Sequence, residues 1–248
     1  MAKLPISLRD EPLIDAIFEL RFVGQQQLAD ILPGVLFAAY QGAPKISRLP
    51  AAEIPQPVRD SDPNLVFVPI LRLDLDGFAI SVGARNLVIS SKMPYPKWAA
   101  FKEFIIGVCG RVANSGIPLE LERFSLKYVN LLQGGSVAEQ VGKIKMQMAV
   151  GDLDYKSGLF SLQLQVTEGE YLHIVSVMTG AVATLPDGTT LAGTILDVDS
   201  VCQARGVHIS EFVRTSDDRL EQLKQANKGK FFSSLKDEAI EEMGPDYG

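Results

Sequence analysis

Apolar and polar residues alternate along much of this 248-residue chain, which is the period of two expected for half-buried strands. In the stretch 13–22, Ile14, Ala16, Phe18, Leu20 and Phe22 share one side. Asp15, Glu19 and Arg21 take the other, with Ile17 breaking the polar side. Leu71, Leu73 and Leu75 alternate with Arg72, Asp74 and Asp76. The pair Asp76-Gly77 then signals a two-residue turn into a return strand carrying Phe78, Ile80 and Val82. A second reversal at 83–86 leads into Leu87, Val88 and Ile89, and 121–132 predicts a strand with Phe124, Leu126, Tyr128 and Asn130 on one face. Further strands are expected at 143–150, 158–167, 170–179, 181–185 and 189–202, with Glu168-Gly169 and Asp187-Gly188 as turns.

Three stretches break this rhythm. Residues 26–40 carry Leu28, Ile31, Leu32, Val35, Leu36 and Ala39 at helical spacing, with Pro33 interrupting the stripe. Trp98, Phe101, Ile105 and Val108 predict a helix that follows Pro94-Tyr95-Pro96 and ends near 114–116. From 210 to 243 the pattern is helical again, with Leu220, Leu223, Phe231 and Leu235 as anchors. Thr215 with Asp218 reads as a capping box, Gly229 as a weak point, and Ser234 as the cap of a separate last turn. Prolines 44, 50, 55, 57 and 63 mark an edge strand and a loop. The expected class is α+β: antiparallel sheets with helices packed on one face and a long C-terminal helix. Gly134-Gly135 suggests an N-terminal α+β half (1–133) and a C-terminal half of antiparallel sheet plus terminal helix (136–248). The halves are similar in element order, and a single continuous domain fits the same pattern.

Composition narrows the chemistry. The chain has two histidines and two cysteines, none at ligand spacing, so no zinc site, thiol centre or catalytic histidine cluster is legible. Cys109 and Cys202 read as buried, reduced thiols. No run approaches the roughly 20 apolar residues of a membrane span, and the start lacks a secretory pattern, so a cytoplasmic location without membrane association is expected. A net charge of −6 disfavours nucleic acid as a partner. Gly134-Gly135 lacks the rest of either nucleotide fingerprint, and no cofactor is expected.

Few residues stand out as candidate sites. Asp74 with Asp76, Asp152 with Asp154, and Asp197 with Asp199 are acid pairs at i, i+2. On a strand that spacing aims both carboxylates to one face, the arrangement a hard divalent metal needs. Asp74, Asp76, Asp197 and Asp199 are the metal candidates, weighed against the polar face of an ordinary strand. His173 invites a general-base role with Ser161 or Ser176, but no nucleophile context accompanies it. Tyr95 and Trp98 form an aromatic and proline corner suited to anchoring a partner, or to packing the helix on the sheet. Arg123, Lys127 and Asn130 form a third group, Asn130 serving as a structural bracket or a recognition group. Lys224 and Lys228 beside Phe231 make the last helix locally basic, although nearby acids give it a mixed face.

Several segments together resemble a sporadically distributed bacterial family of uncharacterised proteins. They are the opening Pro12-Leu13-Ile14-Asp15-Ala16-Ile17-Phe18-Glu19-Leu20-Arg21-Phe22, then Val82-Gly83-Ala84-Arg85-Asn86-Leu87, then Pro94-Tyr95-Pro96-Lys97-Trp98 with Phe101. Arg123-Phe124-Ser125-Leu126-Lys127-Tyr128-Val129-Asn130, Leu196-Asp197-Val198-Asp199 and the stretch from Phe231-Phe232 to Glu238 complete the series. The resemblance runs from about residue 4 to 243. It implies no reaction, and the family's patchy distribution associates it with mobile or defence loci. Asn227 and Lys228 stand where the family has a histidine. The leading expectation is therefore a non-enzymatic module that recognises a protein partner, antitoxin- or immunity-like in its concrete form, with catalytic residues: none. A homo-oligomer is compatible with it. The alternatives are a carboxylate-centred metal-dependent enzyme and a small-ligand-binding module.

Overall fold

A computed structural model describes residues 4–24, 28–40, 44–156, 158–185 and 188–248. Strand β1 (Ser7–Leu8) precedes β2 (Leu13–Phe22), where Ala16, Phe18, Leu20 and Phe22 are buried as the alternation predicts. Helix α1 (Leu28–Ala39) runs through Pro33 rather than stopping there. The buried pyrrolidine ring joins Leu32 and Leu36 in the apolar stripe, and that burial offsets the one backbone bond it forgoes. The proline-rich stretch opens with β3 (Lys45–Arg48), the expected edge strand. It continues not as plain loop but as a 3-10 turn (Pro50–Glu53) and α2 (Gln56–Ser61), since proline suits the first turn of a helix.

The hairpins β4 (Leu71–Asp74), β5 (Phe78–Val82) and β6 (Asn86–Ser91) follow, with Gly77 at φ 71° where glycine is favoured. Helix α3 (Trp98–Asn114) buries Phe101, Ile105, Val108, Cys109 and Val112 at helical spacing. Strand β7 (Glu120–Leu132) buries Phe124, Leu126, Tyr128 and Asn130 on one face.

Residues 143–150, expected as a strand, form none. Helix α4 (Val137–Gly142) ends there, and the stretch makes only isolated bridges such as Ile144 with Leu235. Its neighbour is the short joint at 234–236 between two helices, too brief to template a ladder. Then come β8 (Ser161–Glu168), β9 (Tyr171–Thr184, one strand rather than two) and β10 (Thr190–His208). Asp187 of the expected turn lies outside the described residues. Helix α5 (Ile209–Ser234) is continuous through Gly229. It starts six residues before Thr215, whose hydroxyl instead donates to the Glu211 carbonyl inside the helix. Ser234 likewise bonds back to the Lys230 carbonyl, and α6 (Asp237–Glu242) begins after Lys236. A last strand, β11 (Pro245–Asp246), pairs with β1.

The protein is α+β: a nine-stranded antiparallel sheet in the order β3-β4-β5-β6-β2-β7-β10-β9-β8, a two-stranded antiparallel sheet, and a 26-residue C-terminal helix. None of the described helices is long and apolar enough to cross a membrane. The chain divides into two compact units. One comprises Met1–Asp15, Lys127–Ser200 and Lys224–Gly248; the other comprises Ala16–Leu126 and Val201–Leu223. Gly134 and Gly135 lie inside the first, where Glu139 Oε2 accepts from the Gly135 N–H and the Gln140 side chain donates to the Gly134 carbonyl. The core of that unit is built from Leu132, Val177, Leu196, Val198, Phe231, Phe232 and Leu235. In the second unit Phe18, Phe124 and Phe212 form an aromatic centre, with Phe78 stacked on Phe101 and Phe104.

Candidate functional site

Polar side chains of β2, β6 and β7 meet in the second unit around Phe67. Strand parity sends Glu19 and Arg21 to the side of β2 opposite Phe18 and Leu20, and the β2–β6 register sets Asn86 beside Arg21. Asn86 Nδ2 donates to Glu19 Oε1 at 3.0 Å and to the Phe67 carbonyl at 2.7 Å. Arg21 Nε donates to Glu19 Oε2 at 2.9 Å, and Arg123 approaches the same oxygen at 3.5 Å. Arg85 pairs with Glu122 at 3.2 Å. Both Arg21 and Arg85 lie against the Phe67 ring, 4.1 and 5.0 Å from its centroid, a cation–π clamp. Gly83 is required beside it, because a Cβ there would collide with Asn86 and stand 2.9 Å from the Val68 carbonyl. Residues of β2, β6 and the turn before β6 thus supply one bracket that pins the chain around Phe67 to the sheet. Sequence reading missed it because Phe67 carries no local signal.

A second polar chain lies inside the first unit. Asn227 Nδ2 of α5 donates to the Val198 carbonyl at 2.8 Å and to Ser200 Oγ at 3.1 Å, and Ser200 Oγ lies 2.8 Å from His173 Nδ1. Burial, aided by the Lys230 ammonium and opposed by Glu168, holds the His173 imidazole below its ordinary pKa. A neutral ring protonated on Nε2 can accept a hydrogen bond from the Ser200 hydroxyl at Nδ1, while Ser200 Oγ accepts from Asn227. The partner of His173 is neither Ser161 nor Ser176. All three members are buried, and the chain ties α5 to β10. Alternation alone pairs no residues across strands, which is why Ser200 was not legible.

One acid in each of two pairs, Asp74 and Asp197, is taken up by cations. Asp74 accepts from Arg72 and approaches Lys92 at 3.3 Å. Burial alone would raise its pKa, but those two cations together hold it below the usual carboxylate range. Asp76 sits exposed in the turn before Gly77. Asp197 meets Lys127 at 2.5 Å, and burial pushes its carboxyl up despite that ammonium. Asp199 lies two residues along the same strand. Among the described residues, no three or more of His, Cys, Asp and Glu gather where they could hold a metal ion.

Of the aromatic corner, Trp98 Nε1 donates to Glu221 Oε2 at 2.8 Å, and both Trp98 and Tyr95 pack edge-on against Phe101. Both are half-buried, and the corner docks α3 on α5 within the second unit. Lys224 lies over the Tyr128 ring, 3.9 Å from its centroid, and Lys228 donates to the Ile6 carbonyl. Phe231 is buried in the core beside Phe232, which removes it from any surface. Asn130 donates to the Leu196 carbonyl and so serves as a bracket.

Exposed apolar side chains concentrate elsewhere. Of thirteen large ones among the described residues, seven lie between 150 and 182: Val150, Leu153, Leu159, Leu164, Val166, Met178 and Val182. On β9 the pattern from 177 to 182 is strictly alternating, with Val177, Thr179 and Ala181 inward and Met178, Gly180 and Val182 outward. Leu159 lies over Gly180, whose Cβ would stand 2.7 Å from Leu159 Cδ2. Met178, Leu159 and Val182, exposed by 41%, 77% and 66%, therefore form a continuous aliphatic strip on one face of β9.

No family model matches the chain, and no curated protein matches it. Solved structures that match include Methanococcus jannaschii TBP, 9% identical over 86% of this chain and 97% of that chain, with a TM-score of 0.27. A likeness of that degree bears on neither fold nor function.

Proposed function

We propose that this chain is a non-enzymatic recognition protein that binds a protein partner through the aliphatic strip Met178–Leu159–Val182. The observation that carries the reading is the contrast in how side chains are used. Asp74, Asp197 and His173, singled out by sequence, are engaged in ion pairs or a buried hydrogen bond, whereas apolar side chains stand in solvent along one strand face. Contiguous exposed apolar surface marks interaction sites, and desolvating such a strip drives association. An antitoxin- or immunity-like role in a defence or mobile locus is the concrete form, and it rests on the family resemblance. The cytoplasm is the proposed compartment, in keeping with two buried cysteines that form no disulfide.

The test is affinity purification of the tagged full chain from its native host. A stoichiometric protein partner is expected, with recovery falling at least tenfold for Met178→Lys and Val182→Lys while their thermal midpoints stay within a few degrees of the parent. Recovery of no partner, or a partner indifferent to both substitutions, contradicts the reading.

A further inference from the structure

The two edges of the nine-stranded sheet are built differently. Edge β3 is four residues long and carries Lys45 and Arg48, the usual protection against a further strand. Edge β8 has eight residues, Ser-Leu-Gln-Leu-Gln-Val-Thr-Glu, with no lysine, proline or bulge and no charge before Glu168. All but Leu162 are exposed, Leu164 and Val166 by 53% and 42%.

From 161 to 167 this edge reads the same in both directions: hydroxyl, aliphatic, Gln, Leu, Gln, aliphatic, hydroxyl. Reversed onto itself about Leu164, it sets Leu164 against Leu164, Leu162 against Val166, Gln163 against Gln165 and Ser161 against Thr167. Every such pair shares a face, since paired antiparallel residues point the same way. The backbone agrees independently. The Thr179 N–H donates to the Phe160 carbonyl at 3.1 Å, and the β8–β9 register pairs Glu168 with Tyr171 across a two-residue turn. By the alternation of an antiparallel ladder, the even residues of β8 bond β9, and the N–H and C=O groups of Ser161, Gln163, Gln165 and Thr167 point outward. The reversed register matches those outward groups with one another, so each of the four odd-numbered pairs exchanges both backbone bonds. Charge agrees as well: the two Glu168 carboxylates fall at opposite ends of the paired strands, and no like charges stand directly opposite.

We propose that β8 pairs antiparallel with β8 of a second copy, forming a two-fold dimer whose axis passes through Leu164 and whose sheet is continuous across both chains. Such an interface is isologous, as a two-fold dimer requires. It uses the strand edge and not the face that carries Met178 and Val182, so it goes beyond the partner reading and does not depend on it.

Sedimentation velocity of the purified full chain tests this. The parent is expected at twice the 27.0 kDa chain mass. Leu164→Lys, which sets two ammonium groups on the axis, is expected at the single-chain mass at a concentration where the parent is wholly dimeric. Gln163→Pro is expected to do the same, because its outward N–H is not used by β9. Leu164→Cys is expected to form an intermolecular disulfide on mild oxidation, its Cα atoms being about 4.5 Å apart across the axis. Gln165→Cys, offset from its own mate, is expected not to. Thermal melts confirm that each variant folds, and Leu164→Lys is expected to retain any partner bound through Met178. A parent that stays at single-chain mass overturns the proposal. So does a dimer that survives both Leu164→Lys and Gln163→Pro, or one in which Leu164→Cys does not cross-link.

Discussion

Glu19 holds Asn86 and Arg21 on its two oxygens, and Asn227 reaches both a carbonyl and a hydroxyl of β10. Residues of this kind are costly to bury and hold only when paired, so each acts as a rivet. Asn130 was legible as such a rivet because it falls on the apolar face of an alternating strand. Glu19, Asn86 and Phe67 were not, because their meeting depends on which strands become neighbours. His173 carries a measurable consequence. Its folded pKa lies below the value of about 6.5 for a free imidazole, so the unfolded chain binds the proton more readily. The neutral ring's contribution is fully present above that unfolded value and is lost as pH falls below it. Urea midpoints are therefore expected to decline from pH 7 to pH 5, and His173→Gln is expected to remove part of that decline. An identical decline in the variant contradicts the buried neutral imidazole.

At the scale of elements, strong periodicity and turn pairs were the legible part. Strand β2, the hairpins around Gly77 and Gly169 and helix α3 lie where alternation or helical spacing puts them, while β10 runs to His208, six residues past its expected end. Helix boundaries were less legible. Thr215 and Ser234 look like caps in sequence, yet both hydroxyls bond back to carbonyls one turn earlier, a competing use that spacing cannot exclude. A side-chain cap does close α4: Ser136 Oγ accepts from the Glu139 N–H at 3.2 Å, while the Glu139 carboxylate accepts from the Gly135 N–H. Ser136→Ala is expected to lower stability by about 1 kcal/mol in urea titration, and Ser234→Ala by clearly less. Equal losses would contradict this assignment of the cap. Residues 143–150 failed as a strand for a related reason: a strand needs a neighbour, and here the adjoining chain is a helix joint.

At the scale of the whole molecule, the order of nine strands was not legible, since β2 lies between β6 and β7 through pairings distant in sequence. That order decides which strands become edges, and hence that the hairpin of β8 and β9 carries both an unprotected edge and an aliphatic face. The candidate surface chosen from sequence, around Trp98 and the C-terminal lysines, consists largely of side chains engaged in packing, ion pairs or ring contacts. An excess of exposed apolar residues within 150–182 outweighs it. Amide hydrogen exchange on the complex recovered from the native host, compared with the chain alone, tests this account most directly. New protection confined to 150–182 is the predicted result. Protection appearing instead at 95–102 and 217–224, with 150–182 unchanged, would contradict it.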